Sequence, residues 1–392
     1  MTKISIIIPT LNRAHLLSFA LKSAIAQDYK DLEIVVCDDY SEDNTREVVE
    51  SFKNKNIIYI RTDKRLNIVD NFELALNKAS GEYITFLTDT CYLLPNCISI
   101  AIRELEKFNV KLAVWKNCSY FYSDWIEPER RNTLYIPKVT YNSNLLDSKK
   151  ILKQCYTDIR THAPLMPRSI NSLCHQSVIK KARNIQGRFF LFPLPDYSGV
   201  NMLLNTEKYL LIDQPLFVGS VSSANIGASQ SFTFGESAQD CYKGLNSKLE
   251  DIAFLGIPTS SSAIAKVLEN VRSFYLDSCP ELNIKNVLCE IVDSLSKMEI
   301  YGTKVDLKDY WQILDRHVAN QNNKTKIAVA KQKITSRLKW MTIKTIRFLP
   351  FLYYLEALRN VEILKGKKFK FNNVEEAAKV VEHRIQEKNL EV

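Results

Sequence analysis

The first ninety residues switch back and forth between two hydrophobic periods, and that alternation constrains the fold more than any other feature. Residues 4–8 are four isoleucines and one serine, stopped by Pro9, and a short β-branched run of this kind reads as a buried strand. Leu16, Leu17, Ala20, Leu21, Ala24 and Ile25 then recur at helical spacing. Residues 33–37 read as a second strand, stopped by Asp38-Asp39. Ser41 or Asp43 is placed to cap a helix that carries Val48, Val49 and Phe52. Residues 56–60 read as a third strand. Val69, Phe72, Leu76 and Ala79 mark another helix, with Gly81 just past its end, where a C-terminal cap sits. Residues 83–87 read as a fourth strand. The order β-α-β-α-β-α-β predicts an α/β protein with a Rossmann-like, mainly parallel sheet covered by helices.

Ligands of open sheets bind beyond the carboxyl ends of the strands. The residues to read are therefore Thr10-Leu11-Asn12-Arg13, Asp38-Asp39, Arg61 to Arg65 and Thr88-Asp89-Thr90. Asp38 and Asp39 are adjacent carboxylates that cannot face the same way, so one can accept from a base or ribose while the other orients a loop or a metal. Asp89 sits at the next tip, where a carboxylate can hold a divalent cation or a ribose hydroxyl. Asp196 lies between prolines and aromatics in Phe192-Pro193-Leu194-Pro195-Asp196-Tyr197, and partial burial there would raise its pKa and suit it to general-base work. Each of these residues, taken alone, also fits a turn or a helix cap.

Beyond residue 112 the periodicity loosens. Residues 209–212 read as a short strand ahead of Pro215. Residues 220–235 are rich in Ser, Gly and Ala and read as a loop or lid. From 239 to about 320 the pattern is helical. The expected division is therefore 1–230, a catalytic α/β domain, and 231–392, a mostly helical region. The nine cysteines are scattered with no C-x-x-C, which argues against a disulfide framework or a zinc site and for reduced, structural thiols. No run of 18 apolar residues occurs, and the N-terminus carries no apolar leader followed by a cleavage site. The expected location is the cytoplasm.

In order and spacing, three segments carry a resemblance. They are Ile6-Ile7-Ile8-Pro9-Thr10-Leu11-Asn12-Arg13, Val35-Val36-Cys37-Asp38-Asp39-Tyr40-Ser41, and the stretch from Asn71 through Gly81-Glu82-Tyr83-Ile84 to Phe86-Leu87-Thr88-Asp89. Together they resemble the family 2 glycosyltransferases with the A-type nucleotide-sugar fold. The likeness is strong over residues 3–100 and weaker to about 225, where Pro195-Asp196-Tyr197 and Ile212-Asp213-Gln214-Pro215-Leu216 fit the acceptor half.

The resemblance implies an inverting transferase that moves a sugar from a nucleotide donor, usually UDP-linked, to a glycan or lipid-linked hydroxyl acceptor, as in bacterial surface polysaccharide synthesis. Pro9, Thr10 and Arg13 would line the nucleotide pocket. Asp39 would bind the base, with Asp38 nearby. Asp89 would sit near ribose and diphosphate, and Asp196 would be the base. A divalent cation, Mg2+ or Mn2+, would be held at Asp89. The chain departs from the family at Leu87-Thr88-Asp89-Thr90-Cys91, where Thr90 stands in the usual metal-ligand slot and is a poor ligand. Three readings stay open: Asp89 holds the metal with diphosphate and water, cations such as Arg61 and Arg65 compensate, or the chain is an inactive nucleotide-sugar-binding module that acts as a membrane or partner scaffold. Tyr40 also replaces a glycine common in the family.

The net charge of +9 is concentrated late in the chain. Residues 324–371 hold thirteen Lys and Arg against Glu356 and Glu362, a net of +11, which leaves −2 for the rest. Ile334, Leu338, Met341 and Phe348 form an imperfect helical stripe there, with Trp340, Phe351 and Tyr353 nearby. A basic face with aromatics suits contact with anionic lipid through residues 331–358, at the inner face of the plasma membrane. The alternative is a helix packed on its own domain with its charges in water. No nucleic-acid module accompanies the charge, so nucleic acid is not an expected partner.

Overall fold

The computed structural model describes residues 2–125, 127–159, 165–222, 251, 253–301, 306–346 and 361–390. The first half runs β1 (Ile4–Thr10), α1 (Ala14–Ile25), β2 (Leu32–Asp38), α2 (Thr45–Ser51), β3 (Ile57–Arg61), α3 (Ile68–Lys78) and β4 (Tyr83–Phe86). Strands β1 and β2 are buried along their whole length. Burial on both faces is why they read as continuous apolar runs. Ile7, Val35 and Cys37 face one core with Phe72 and Leu76 of α3, while Ile6, Ile8, Ile34 and Val36 face another with Leu17 and Leu21 of α1.

The chain continues with β5 (Tyr92–Leu93), α4 (Cys97–Phe108), β6 (Leu112–Phe121), β7 (Thr133–Pro137), β8 (Ser143–Asp147), α5 (Ser148–Thr157), β9 (Ser172–His175), α6 (Gln176–Gln186), α7 (Val200–Leu204) and β10 (Lys208–Val221). The sheet order is β11-β7-β6-β9-β4-β1-β2-β3, with β10 pairing β5, β6 and β8. The four strands β3, β2, β1 and β4 are parallel, as their sequence pattern requires. Beyond them β9 runs antiparallel to both β4 and β6, so the complete sheet is mixed. β10 runs through Pro215, where the sequence suggested a stop. Proline is tolerated because the register with β6 slips on either side of it.

The remaining elements are α8 (Ser260–Phe274), α9 (Ile284–Tyr301), α10 (Lys308–Ala319), α11 (Asn323–Ile346), β11 (Val361–Lys365), α12 (Gly366–Phe369) and α13 (Val374–Leu390). Helices α8 and α9 share the core on the α3 side of the sheet. β11 pairs antiparallel with β7 at the sheet edge, and Phe371, Val374, Ala377 and Val381 pack on Tyr92, Tyr120 and Leu134. The C-terminal region is thus mostly helical, but its last strand joins the sheet built by the first 221 residues. The division expected near 230 and the lid at 220–235 fall largely outside the described residues. The eight described cysteines are unpaired, and seven of them are buried.

Gly81 serves a different purpose from the expected cap. α3 ends at Ala79 in extended conformation. The Gly81 amide donates to Ser5 Oγ at 2.8 Å, and a Cβ at this position would lie 2.5 Å from the Ser5 backbone nitrogen. Only a residue without a side chain lets this loop close on β1. The same corner holds Glu33, which accepts from Ser5 Oγ, Ser80 N and Ser80 Oγ and pairs with Lys3 at 2.7 Å. Burial alone would raise this carboxyl, but the bonds from Lys3, Ser5 and Ser80 outweigh it and hold it at about 2.

Candidate active site

The register pairs Thr10 with Asp38 and Ile7 with Phe86, so the tip of β1 lies between the tips of β2 and β4. The loops after β1 and β2 are laced together. The Asn12 amide donates to Ser41 Oγ at 2.8 Å, and the Glu42 amide donates to Asn12 Oδ1 at 2.7 Å. Asn12 and Tyr40 both adopt positive φ, 50° and 62°. The tyrosine therefore keeps the turn geometry that a glycine would favour, and the Arg61 guanidinium covers its ring at 4.3 Å. Of the two expected caps of α2, Asp43 acts: its carboxylate accepts from Ala14 N and Thr45 N, so one side chain satisfies the starts of both α1 and α2.

The carboxylates differ in what they have left to offer. Asp38, 1% exposed, accepts from Ser41 N at 2.8 Å and Tyr59 Oη at 2.6 Å and lies 3.8 Å from Arg61. Its acceptor capacity is engaged in shaping the turn. Asp39 accepts from Leu66 N at 2.7 Å and pairs with Arg65 at 3.3 Å. Burial lifts it to about 6, against the pull of the Leu66 amide and Arg65. Asp89 accepts from the Thr10 hydroxyl at 3.0 Å and pairs with Arg13 at 3.3 Å. Pro9 lies within β1 opposite Cys37, so Thr10 and Arg13 carry the side-chain contacts of that segment.

Asp196 arrives from the other half of the sheet, on a short 3-10 helix, Pro195–Gly199. Gly199 brings this turn against Pro167, since a Cβ there would lie 2.1 Å from the Pro167 carbonyl oxygen. The close approach sets Asp196 Oδ1 3.3 Å from the Ile170 amide and Oδ2 3.5 Å from Arg168. Burial raises the Asp196 carboxyl, and the Arg168 charge with the Ile170 and Ser169 amides recovers part of that shift. Arg168 also bonds Tyr197. It anchors the turn that carries Asp196. The sequence offered no motif to single it out.

The donor set at Asp89 does not fit a divalent cation held by protein ligands. Thr10 takes one Asp89 oxygen and Arg13 the other. The Thr90 hydroxyl lies against Thr88 and Cys91. Mg2+ and Mn2+ favour carboxylate oxygens. Among the described residues, no group of three or more His, Cys, Asp or Glu is arranged to hold a metal.

These strand tips belong to a recognisable class. Residues 5–166 match the family described as Glycosyl transferase family 2. Over 110 residues it is 38% identical to the GalNAc(5)-diNAcBac-PP-undecaprenol beta-1,3-glucosyltransferase of Campylobacter jejuni, covering 27% of this chain and 36% of that protein. Over 156 residues it is 29% identical to the UDP-Glc:alpha-D-GlcNAc-diphosphoundecaprenol beta-1,3-glucosyltransferase WfgD of Escherichia coli, covering 39% of this chain and 56% of that one. The chain thus spans 36% to 56% of the length of these two relatives. The crystal structure of S. aureus TarS 1–349 in complex with UDP-GlcNAc has the same fold, with a TM-score of 0.53 at 16% identity over 87% of this chain and 92% of that one.

Proposed function

We propose that the chain is an inverting glycosyltransferase that uses a nucleotide-linked sugar, UDP-linked as in the similar WfgD and the TarS complex with UDP-GlcNAc. The observation that carries the reading is the placement of Asp39 with Arg65 and of Asp89 with Arg13 just past the tips of β2 and β4, on either side of β1, together with a half-buried Asp196 held by Arg168. Asp39 accepts from the base. Asp89 and Thr10 bind near the ribose and diphosphate, and Arg13 and Arg65 supply positive charge as the leaving group develops. Asp196 takes the proton of the acceptor hydroxyl. The freed oxygen attacks the anomeric carbon from the face opposite the diphosphate, the C–O bond to phosphate breaks, and the nucleoside diphosphate departs.

The acceptor is a lipid-linked glycan in surface polysaccharide synthesis, the class named in both curated relatives, and the enzyme works peripherally at the inner face of the plasma membrane. The catalytic unit is 1–230, with the helical region and its basic segment appended. A second reading, a nucleotide-sugar-binding module without turnover, is favoured by Thr90 in the ligand slot and by an Asp89 already paired. UDP release from UDP-sugars, with and without diphosphoundecaprenol-linked glycans, separates the two. Release that Asp196→Ala abolishes supports the enzyme. UDP binding without release across the acceptors supports the module, and failure to bind UDP overturns both.

A further inference from the structure

Helix α11 carries an exposed apolar stripe on one side, while Thr325, Val329 and Ser336 are covered on the other. Its 24 residues hold seven Lys and Arg and no acid. Much of that charge is tied to the neighbouring helices. Lys333 pairs with Asp315 of α10 at 2.5 Å, Arg337 with Glu299 of α9 at 3.3 Å, and Lys339 with Asp293 of α9 at 3.3 Å. Buried Asp293 also accepts from Ser336 Oγ at 2.8 Å and Trp340 Nε1 at 3.1 Å, and Lys344 donates to the Ile300 carbonyl. The apolar stripe faces out: Ile327, Ile334, Leu338 and Met341 are 69%, 64%, 60% and 57% exposed. Lys324 and Lys331 lie on or beside it and make no ion pair among the described residues.

We propose that α11 docks the protein on an anionic bilayer, with Ile327, Ile334, Leu338 and Met341 entering the acyl boundary and Lys324 and Lys331 meeting the headgroups. Four large apolar side chains in a row are not a resting surface for a protein in water. The charge selects the occupant. A second copy would bring an acid-free basic helix against its own kind, whereas anionic headgroups supply the missing sign. Among the described residues, no helix is long and apolar enough to cross a membrane, so the contact is interfacial. The inference rests on the reading of a membrane-held acceptor for its purpose. A chain of bonds connects the two sites: Ser336 to Asp293 joins α11 to α9, Ser261 to Ser294 joins α9 to α8, and Asn270 of α8 donates to the Phe192 carbonyl, four residues before Asp196. Docking α11 therefore fixes the base-bearing turn relative to the bilayer.

The test is co-sedimentation of the full chain with vesicles of phosphatidylglycerol and phosphatidylethanolamine, and with phosphatidylcholine alone. Wild type sediments with the anionic vesicles. Ile334→Glu with Met341→Glu lowers partitioning by about tenfold or more while leaving the melting temperature unchanged, because both side chains are already in water. Equal binding by the variant, or no binding by wild type, overturns the proposal. So does a stable dimer in sedimentation velocity that the variant dissociates, since the stripe then belongs to a second copy. UDP affinity, measured on both proteins, is the same. Vesicle binding without UDP binding overturns the donor reading alone.

Discussion

The Arg168 guanidinium stands 3.5 Å from the Asp196 carboxylate and also bonds Tyr197. One cation therefore sets both where the acceptor-side carboxylate sits and how basic it is. Removing the carboxylate in Asp196→Ala lowers turnover by about 10²–10⁴-fold, with UDP affinity retained. Removing the cation in Arg168→Gln lets burial raise the Asp196 carboxyl further. The base is active only when ionised, so the acidic limb of the kcat/KM profile moves to higher pH. A limb that stays in place, with only its height reduced, identifies Arg168 as structural.

Asp39 titrates at about 6 in the unliganded protein, so UDP binding strengthens as pH rises through that value. The stability term has the opposite sign. A carboxyl raised on folding from 3.8 to about 6 contributes stability below pH 4, and the contribution is lost as pH rises through 6. Asp39→Asn accordingly flattens the pH dependence of UDP affinity, read by calorimetry between pH 5 and 7. It also removes a cost of about 2–3 kcal/mol from the unliganded protein at pH 7, read by denaturation.

Arg13 and Thr10 each bond one Asp89 oxygen, so on the reading that this pairing stands in for a metal, nucleotide affinity is expected not to depend on a divalent cation. UDP binds with the same affinity, within about threefold, in excess EDTA and in Mn2+. Arg13→Ala weakens binding in both conditions. Binding seen only with Mn2+ would mean that the Arg13–Asp89 pair opens to admit the ion.

Gly199→Ala drives a methyl group into the Pro167 carbonyl. The turn that carries Asp196 must lift from Arg168, at a cost of about 2–3 kcal/mol in stability. Turnover falls and KM for the donor changes little, because the strand tips are untouched.

Glu33→Gln breaks the tie among Lys3, Ser5 and Ser80. Its carboxyl falls from 4.5 to about 2 on folding, so its contribution is present above pH 4.5 and is lost as pH falls toward 2. The variant loses about 2–3 kcal/mol at neutral pH and unfolds less steeply in acid, as urea titrations across that range will show.

The sequence by itself determined the parallel heart of the sheet and the row of tip residues on it. β1 and β2 are buried on both faces, and only an unbroken apolar run satisfies that, so the strands and the polar residues that stop them are local facts. Asp39, Asp89, Thr10, Arg13 and Arg65 follow from there. Tertiary structure alone decided the rest, because those relations join residues far apart in the chain. Gly81 looked like a cap and proved to be a clearance for Ser5. The short β11 acquires meaning only beside β7. Arg168 matters because Gly199 lets its segment touch the Asp196 turn. The periodicity of α11 separates an apolar from a basic face but not which is covered. Asp293, Glu299 and Asp315 on α9 and α10 made that choice, by holding Lys339, Arg337 and Lys333 against their helices and leaving the apolar stripe in water.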